Sequence, residues 1–85
     1  MALLRVETRE ISGGMDEPRR IAVTLSDGTR NVVDHPVSAS GIAAHEYAIA
    51  KTITRETFNR IESFYKVGET ESGYKFTIFL KDTNS

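Results

Sequence analysis

Hydrophobic and polar positions alternate over residues 3–11, with Leu4 and Val6 on one side and Leu3, Arg5, Glu7, Arg9 and Ile11 on the other. A period of two marks a half-buried strand. The pattern returns at 19–25, where Ile21, Val23 and Leu25 oppose Arg20, Ala22 and Thr24. Asp27-Gly28 follows, and this pair between strand-like runs predicts a tight hairpin, because glycine takes the positive φ the turn requires. Residues 29–34 return as the antiparallel partner, with Val32 and Val33 pointing to opposite faces. Residues 74–81 make a last strand, in which Tyr74, Phe76, Ile78 and Leu80 form one apolar face and Phe79 interrupts the other.

Between these runs the pattern changes. Residues 12–18 read as a loop, with Gly13-Gly14 supplying backbone freedom and Pro18 unable to donate to a ladder. Pro36 holds His35 extended and closes the third strand, and 37–41 is a small-residue linker. Residues 42–53 carry two signals. Their alanines suit a helix over 39–50, while Tyr47, Ile49 and Lys51 alternate against Ala48, Ala50 and Thr52, which favours a strand over 46–53. Residues 55–66 predict a helix. Thr54 is an N-cap type, Phe58, Ile61 and Tyr65 recur at helical spacing with Phe64 beside them, and Glu56–Arg60 and Glu62–Lys66 form i,i+4 pairs opposite. Lys66 suits the last turn of such a helix and Gly68 its C-terminal cap.

The expected fold is therefore α+β, a single domain over 1–85. It is a small antiparallel sheet of four to five strands packed on one helix at about 55–66. The chain has 85 residues, so one core is all it can build. It has no cysteine, which removes disulfide scaffolds, thiol chemistry and cysteine zinc sites. Eleven Lys and Arg against twelve Asp and Glu leave a net charge of −1, which argues against a protein that coats nucleic acid wholesale. No apolar run reaches the roughly 18 residues of a membrane span. The first residues meet charge too early for a signal-peptide core, so a cytoplasmic location without membrane contact is expected.

Catalytic groupings are sparse. His45-Glu46 resembles half of a His-Glu-x-x-His zinc motif, but position 49 is isoleucine. Asp34-His35 places an acid beside an imidazole, with Ser38 and Ser40 near in sequence but no nucleophile elbow around them. Asp16-Glu17 adjoins Arg19 and Arg20, which suits neutralisation better than metal binding. Gly13-Gly14 lacks the Lys-Ser/Thr of a phosphate loop. No cofactor or metal is expected.

The expected function is a non-enzymatic protein-interaction module: a small subunit, adaptor or inhibitor of a larger assembly, of a size that phages and mobile elements encode. Its partner is a protein, a second copy of the chain included. Val32, Val33, Phe79 and Met15 are the apolar residues expected at that interface. The alternative is a nucleic-acid-contacting regulator, with Arg19, Arg20 and Arg30 on one hairpin face as phosphate contacts. In sequence, no aromatic residue interleaves those arginines to stack on bases.

Overall fold

The computed structural model describes residues 2–13, 15 and 18–82. Five strands are present: β1 (Ala2–Ile11), β2 (Arg20–Leu25), β3 (Arg30–Asp34), β4 (Ile61–Glu69) and β5 (Gly73–Leu80). Two helices, α1 (Ile42–Thr52) and α2 (Arg55–Asn59), separate β3 from β4. All strands join one antiparallel sheet in the order β3-β2-β1-β5-β4. The α+β class and the antiparallel sheet agree with the sequence. Among the described residues, no helix is long and apolar enough to cross a membrane.

The connections decide which face is covered. Three of them are hairpins and stay at the ends of strands. The fourth leaves β3 at one edge and must reach β4 at the other, so it crosses a face. Both helices lie in that crossing, with α1 packed on β2, β3 and β5. One face is thereby roofed and the other is left open.

The core forms under the roof. Leu4 and Val6 of β1, Ile21, Val23 and Leu25 of β2, and Phe76, Ile78 and Leu80 of β5 are buried against α1. Helix α1 contributes the stripe Ala44, His45, Ala48 and Ile49. Ala44 and Ala48 are fully buried, and their small side chains let the helix approach the sheet closely. Each large side chain so buried contributes roughly 1.5–3 kcal/mol of transfer free energy.

The Asp27-Gly28 turn forms as its chemistry requires. Gly28 takes φ 96°, and the Thr29 N–H donates to Asp27 Oδ1 at 2.9 Å. Both sheet edges are protected against further pairing. Strand β3 is only five residues long, and β4 is broken by irregularities between Ile61 and Ser63 and between Lys66 and Gly68.

Two expectations are corrected. Residues 46–53 are not a strand, since α1 runs over Ile42–Thr52. Four alanines in that stretch favour the helix, and only a helical stripe can bury Ala44, Ala48 and Ile49 together. The helix over 55–66 is likewise absent. Thr54 does cap a helix, accepting from the Thr57 N–H at 3.2 Å, but that helix ends at Asn59. Ile61, Phe64 and Tyr65 fall at helical spacing, and the strand brings both Ile61 and Phe64 to the core through the irregularity between Ile61 and Ser63; pairing with the open edge of β5 outweighs one short helix. The expected i,i+4 pairs are replaced. Lys66 bonds Glu69 at 2.8 Å, and the Arg60 guanidinium donates to the Lys81 carbonyl. Gly68 lies within β4 and is not a helix cap.

Candidate functional site

The open face of the sheet is built from the strand residues that alternate with the core. Because register fixes neighbours, its rows can be read directly. Leu3 of β1 faces Phe79 of β5, which faces Ser63 of β4. In the next row Arg5, Thr77 and Tyr65 stand side by side. Then come Arg30, Thr24, Glu7 and Lys75, drawn from β3, β2, β1 and β5. Arg9, Ala22 and Val32 make a fourth row, and Ile11, Arg20 and Asp34 a fifth.

This face is apolar and aromatic at one end and basic along the rest. Leu3 is 47% exposed and Tyr65 55%. The rings of Tyr65 and Phe79 meet edge to face with centroids 6.1 Å apart. Beside them lies a shallow trough of about 350 Å³, bordered by Arg5, Glu7, Ser26, Val67, Lys75 and Thr77. Five cations stand on the face against two carboxylates, whereas the whole chain carries −1. The remaining surface is therefore acidic. Among the described residues, Arg5, Arg9, Arg30 and Lys75 form no ion pair, and Arg20 reaches Asp34 only at 3.8 Å. Glu7 stands opposite Lys75 in register without pairing to it.

The residues singled out in the sequence are dispersed by the fold. Phe79 and Val32 lie on the open face, near opposite ends. Val33 turns to the other side and packs against the core, because β3 alternates. Met15 is fully exposed in the β1–β2 loop. Arg20 and Arg30 share the open face but sit at opposite ends of the hairpin, opposite Asp34 and Thr24. Arg19 is drawn away from them into a charged hydrogen bond with Glu10. The Asp16-Glu17 pair and Gly14 lie outside the described residues.

Arg5, Arg9 and Lys75 carry no site signal in the sequence, and Tyr65, expected on the apolar stripe of a helix, is instead exposed on the open face. Their strands were recognisable for β1 and β5, and alternation from Val6 and Phe76 puts the three cations on the outer side. Tyr65 was hidden because its strand reads as a helix.

The histidines are separated from each other's chemistry. His35 Nδ1 donates to the Pro36 carbonyl at 2.9 Å, while Asp34 faces the other way toward Arg20. His45 is buried, and its Nδ1 lies 2.7 Å from Thr8 Oγ1, which also accepts from the Tyr74 N–H at 3.2 Å. The Tyr74 ring packs edge-on against the imidazole at 4.8 Å. Burial pushes the His45 pKa below its ordinary value of 6.5, with Glu10 pulling it up and His35 adding to the depression. Among the described residues, no three His, Asp or Glu side chains are grouped as metal ligands would be.

A second, apolar cleft of about 340 Å³ opens between the helices and β4, beside Ile49, Ile53, Phe58 and Phe64. No protein-family model matches the chain, and no curated protein or solved structure matches it either.

Proposed function

We propose that the protein is a non-enzymatic interaction module that binds an anionic macromolecular partner through the open face of its sheet. The observation that carries this reading is the set of four unpaired cations on one open sheet face whose end carries an uncovered aromatic row. Cations left without partners on a protein of net negative charge create a local positive field that attracts an opposite charge. The half-exposed Leu3, Tyr65 and Val67 add apolar area that an extended partner can cover. A partner other than a second copy suits the face, because two such faces brought together would set cation against cation.

The scattered polar groups support binding over catalysis. Among the described residues, neither histidine bonds a serine, and Asp34 does not orient His35.

The test is retention on an immobilised polyanion, heparin, at low salt. Wild type should be retained, and the double variant Arg5→Gln/Lys75→Gln should elute early. Lys51→Gln/Arg55→Gln, on the helical side, should behave as wild type. Equal retention of both double variants would remove the open face from the function.

A further inference from the structure

Resting on the open-face reading, we infer that the anionic partner is single-stranded nucleic acid, held with its bases against Tyr65 and Phe79 and its phosphates along Arg5, Lys75 and Arg30. The aromatic row distinguishes this ligand from an acidic protein. A carboxylate-rich segment needs cations but gains little from an exposed ring at the end of their row. Every base has a π-face, and base–aromatic stacking on a flat platform is tolerant of sequence. Tyr65 offers such a surface, and Phe79 braces it from the side.

The shape of the face separates single strands from duplexes. Reading a duplex groove takes a helix or ribbon that protrudes into it. The open face carries no helix, and the tip of the β2–β3 ribbon carries Asp27, which phosphates would repel. A splayed single strand needs only a shallow channel, and the trough beside Arg5 and Lys75 supplies one.

The cations trace a path. Arg5 and Lys75 follow the rings on neighbouring strands, and Arg30 lies two strands beyond β1, about 10 Å away at the usual strand spacing. Arg9 stands four residues along β1 from Arg5, about 13 Å away. Glu7 lies within this path and Asp34 at its far end, so the face neutralises few phosphates. Three engaged phosphates correspond to a salt slope of about −2 for a single strand.

The experiment is fluorescence anisotropy with labelled 12-nucleotide strands of uridine and of deoxythymidine, titrated at several salt concentrations. The two arms separate RNA from DNA. Wild type should bind, with affinity falling as salt rises along that slope. Tyr65→Ala should weaken binding about tenfold, and Tyr65→Phe should restore it. Tyr65 is exposed, so circular dichroism should show both variants folded. Arg5→Gln/Lys75→Gln should flatten the salt slope by about 1.4. A duplex of equal length should compete poorly.

No binding of either strand at low salt overturns the inference. If heparin retention still depends on Arg5 and Lys75, the open-face reading survives that result. If heparin retention is also independent of those residues, both fall. Equal competition by duplex, or by polyglutamate, with no effect of Tyr65→Ala also overturns the inference, because the face then recognises charge alone.

Discussion

Gly73 lies against Thr8 so closely that a Cβ added to it would fall 1.8 Å from the Thr8 carbonyl oxygen. The obstacle is backbone at the centre of the sheet, so no side chain can swing aside. Gly73→Ala must therefore push β5 away from β1. We expect a loss of about 3 kcal/mol or more, the upper end for overpacking, read as a lower urea midpoint. A variant as stable as wild type would show that the two strands do not approach this closely.

Thr8 also holds the only polar contact between the roof and the sheet interior among the buried described residues. Thr8→Val keeps the shape and removes the hydroxyl that His45 Nδ1 and the Tyr74 N–H contact, which strips the buried imidazole of its polar neighbour. The expected cost is about 1–3 kcal/mol. Thr24→Val, on the open face, should change stability by less than about 0.5 kcal/mol. Chemical denaturation of the two variants in parallel separates a hydroxyl that is used from one that is not.

His45 should make stability fall in mild acid. Its folded pKa is depressed by burial, so between that value and 6.5 the unfolded chain binds a proton that the folded chain refuses. Stability is complete above about pH 7 and declines as pH drops through 6.5 toward the folded value. The carboxylates of Asp27 and Glu69 are held low by hydrogen bonds from Thr29 and Lys66, and their contributions fade only in stronger acid. Urea midpoints from pH 7.5 to about 5.5 therefore isolate the histidine. His45→Gln should flatten that slope, and an unchanged slope would assign it elsewhere.

The open-face cations should not serve stability. Arg5, Arg9 and Arg30 stand without partners among the described residues and repel one another. Arg9→Gln should leave the melting temperature unchanged or raise it slightly at low salt. The difference should vanish in about 1 M salt, where screening shortens the reach of charge to about 3 Å. A marked fall in melting temperature would mean that Arg9 has a structural partner. Residues that a fold would be no worse without, kept in one patch, are what a binding surface looks like.

Much of this architecture is legible in the residues. The alternation of Leu4, Val6, Phe76 and Ile78 marks two central strands, and Asp27-Gly28 marks the hairpin between β2 and β3. The stretch from Ile61 to Tyr65 misleads because its apolar residues fall at helical spacing, and a strand brings Ile61 and Phe64 to one face only through the irregularity after Ile61. What decides it is the free edge of β5, which takes the stretch as its antiparallel partner across a short hairpin. The same competition works in reverse at Ala44–Ile49, where a strand-like alternation yields to the demand for a roof. Of the open face, Phe79, Val32, Arg20 and Arg30 were visible in sequence. Tyr65 becomes visible only once β4 takes its place at the edge of the sheet.

The neighbours at the heart of the sheet, β1 and β5, are its first and last strands in chain order, and Ala2 stands opposite Leu80. Their pairing encloses almost every other residue in one loop, so it cannot be among the early local events of folding. A growing polypeptide that has produced only the first four strands holds a three-stranded meander and an orphan segment, with nothing to bridge them. The aromatic platform comes into being at that final zipper, because Phe79 and the neighbour that orders Tyr65 both arrive with it.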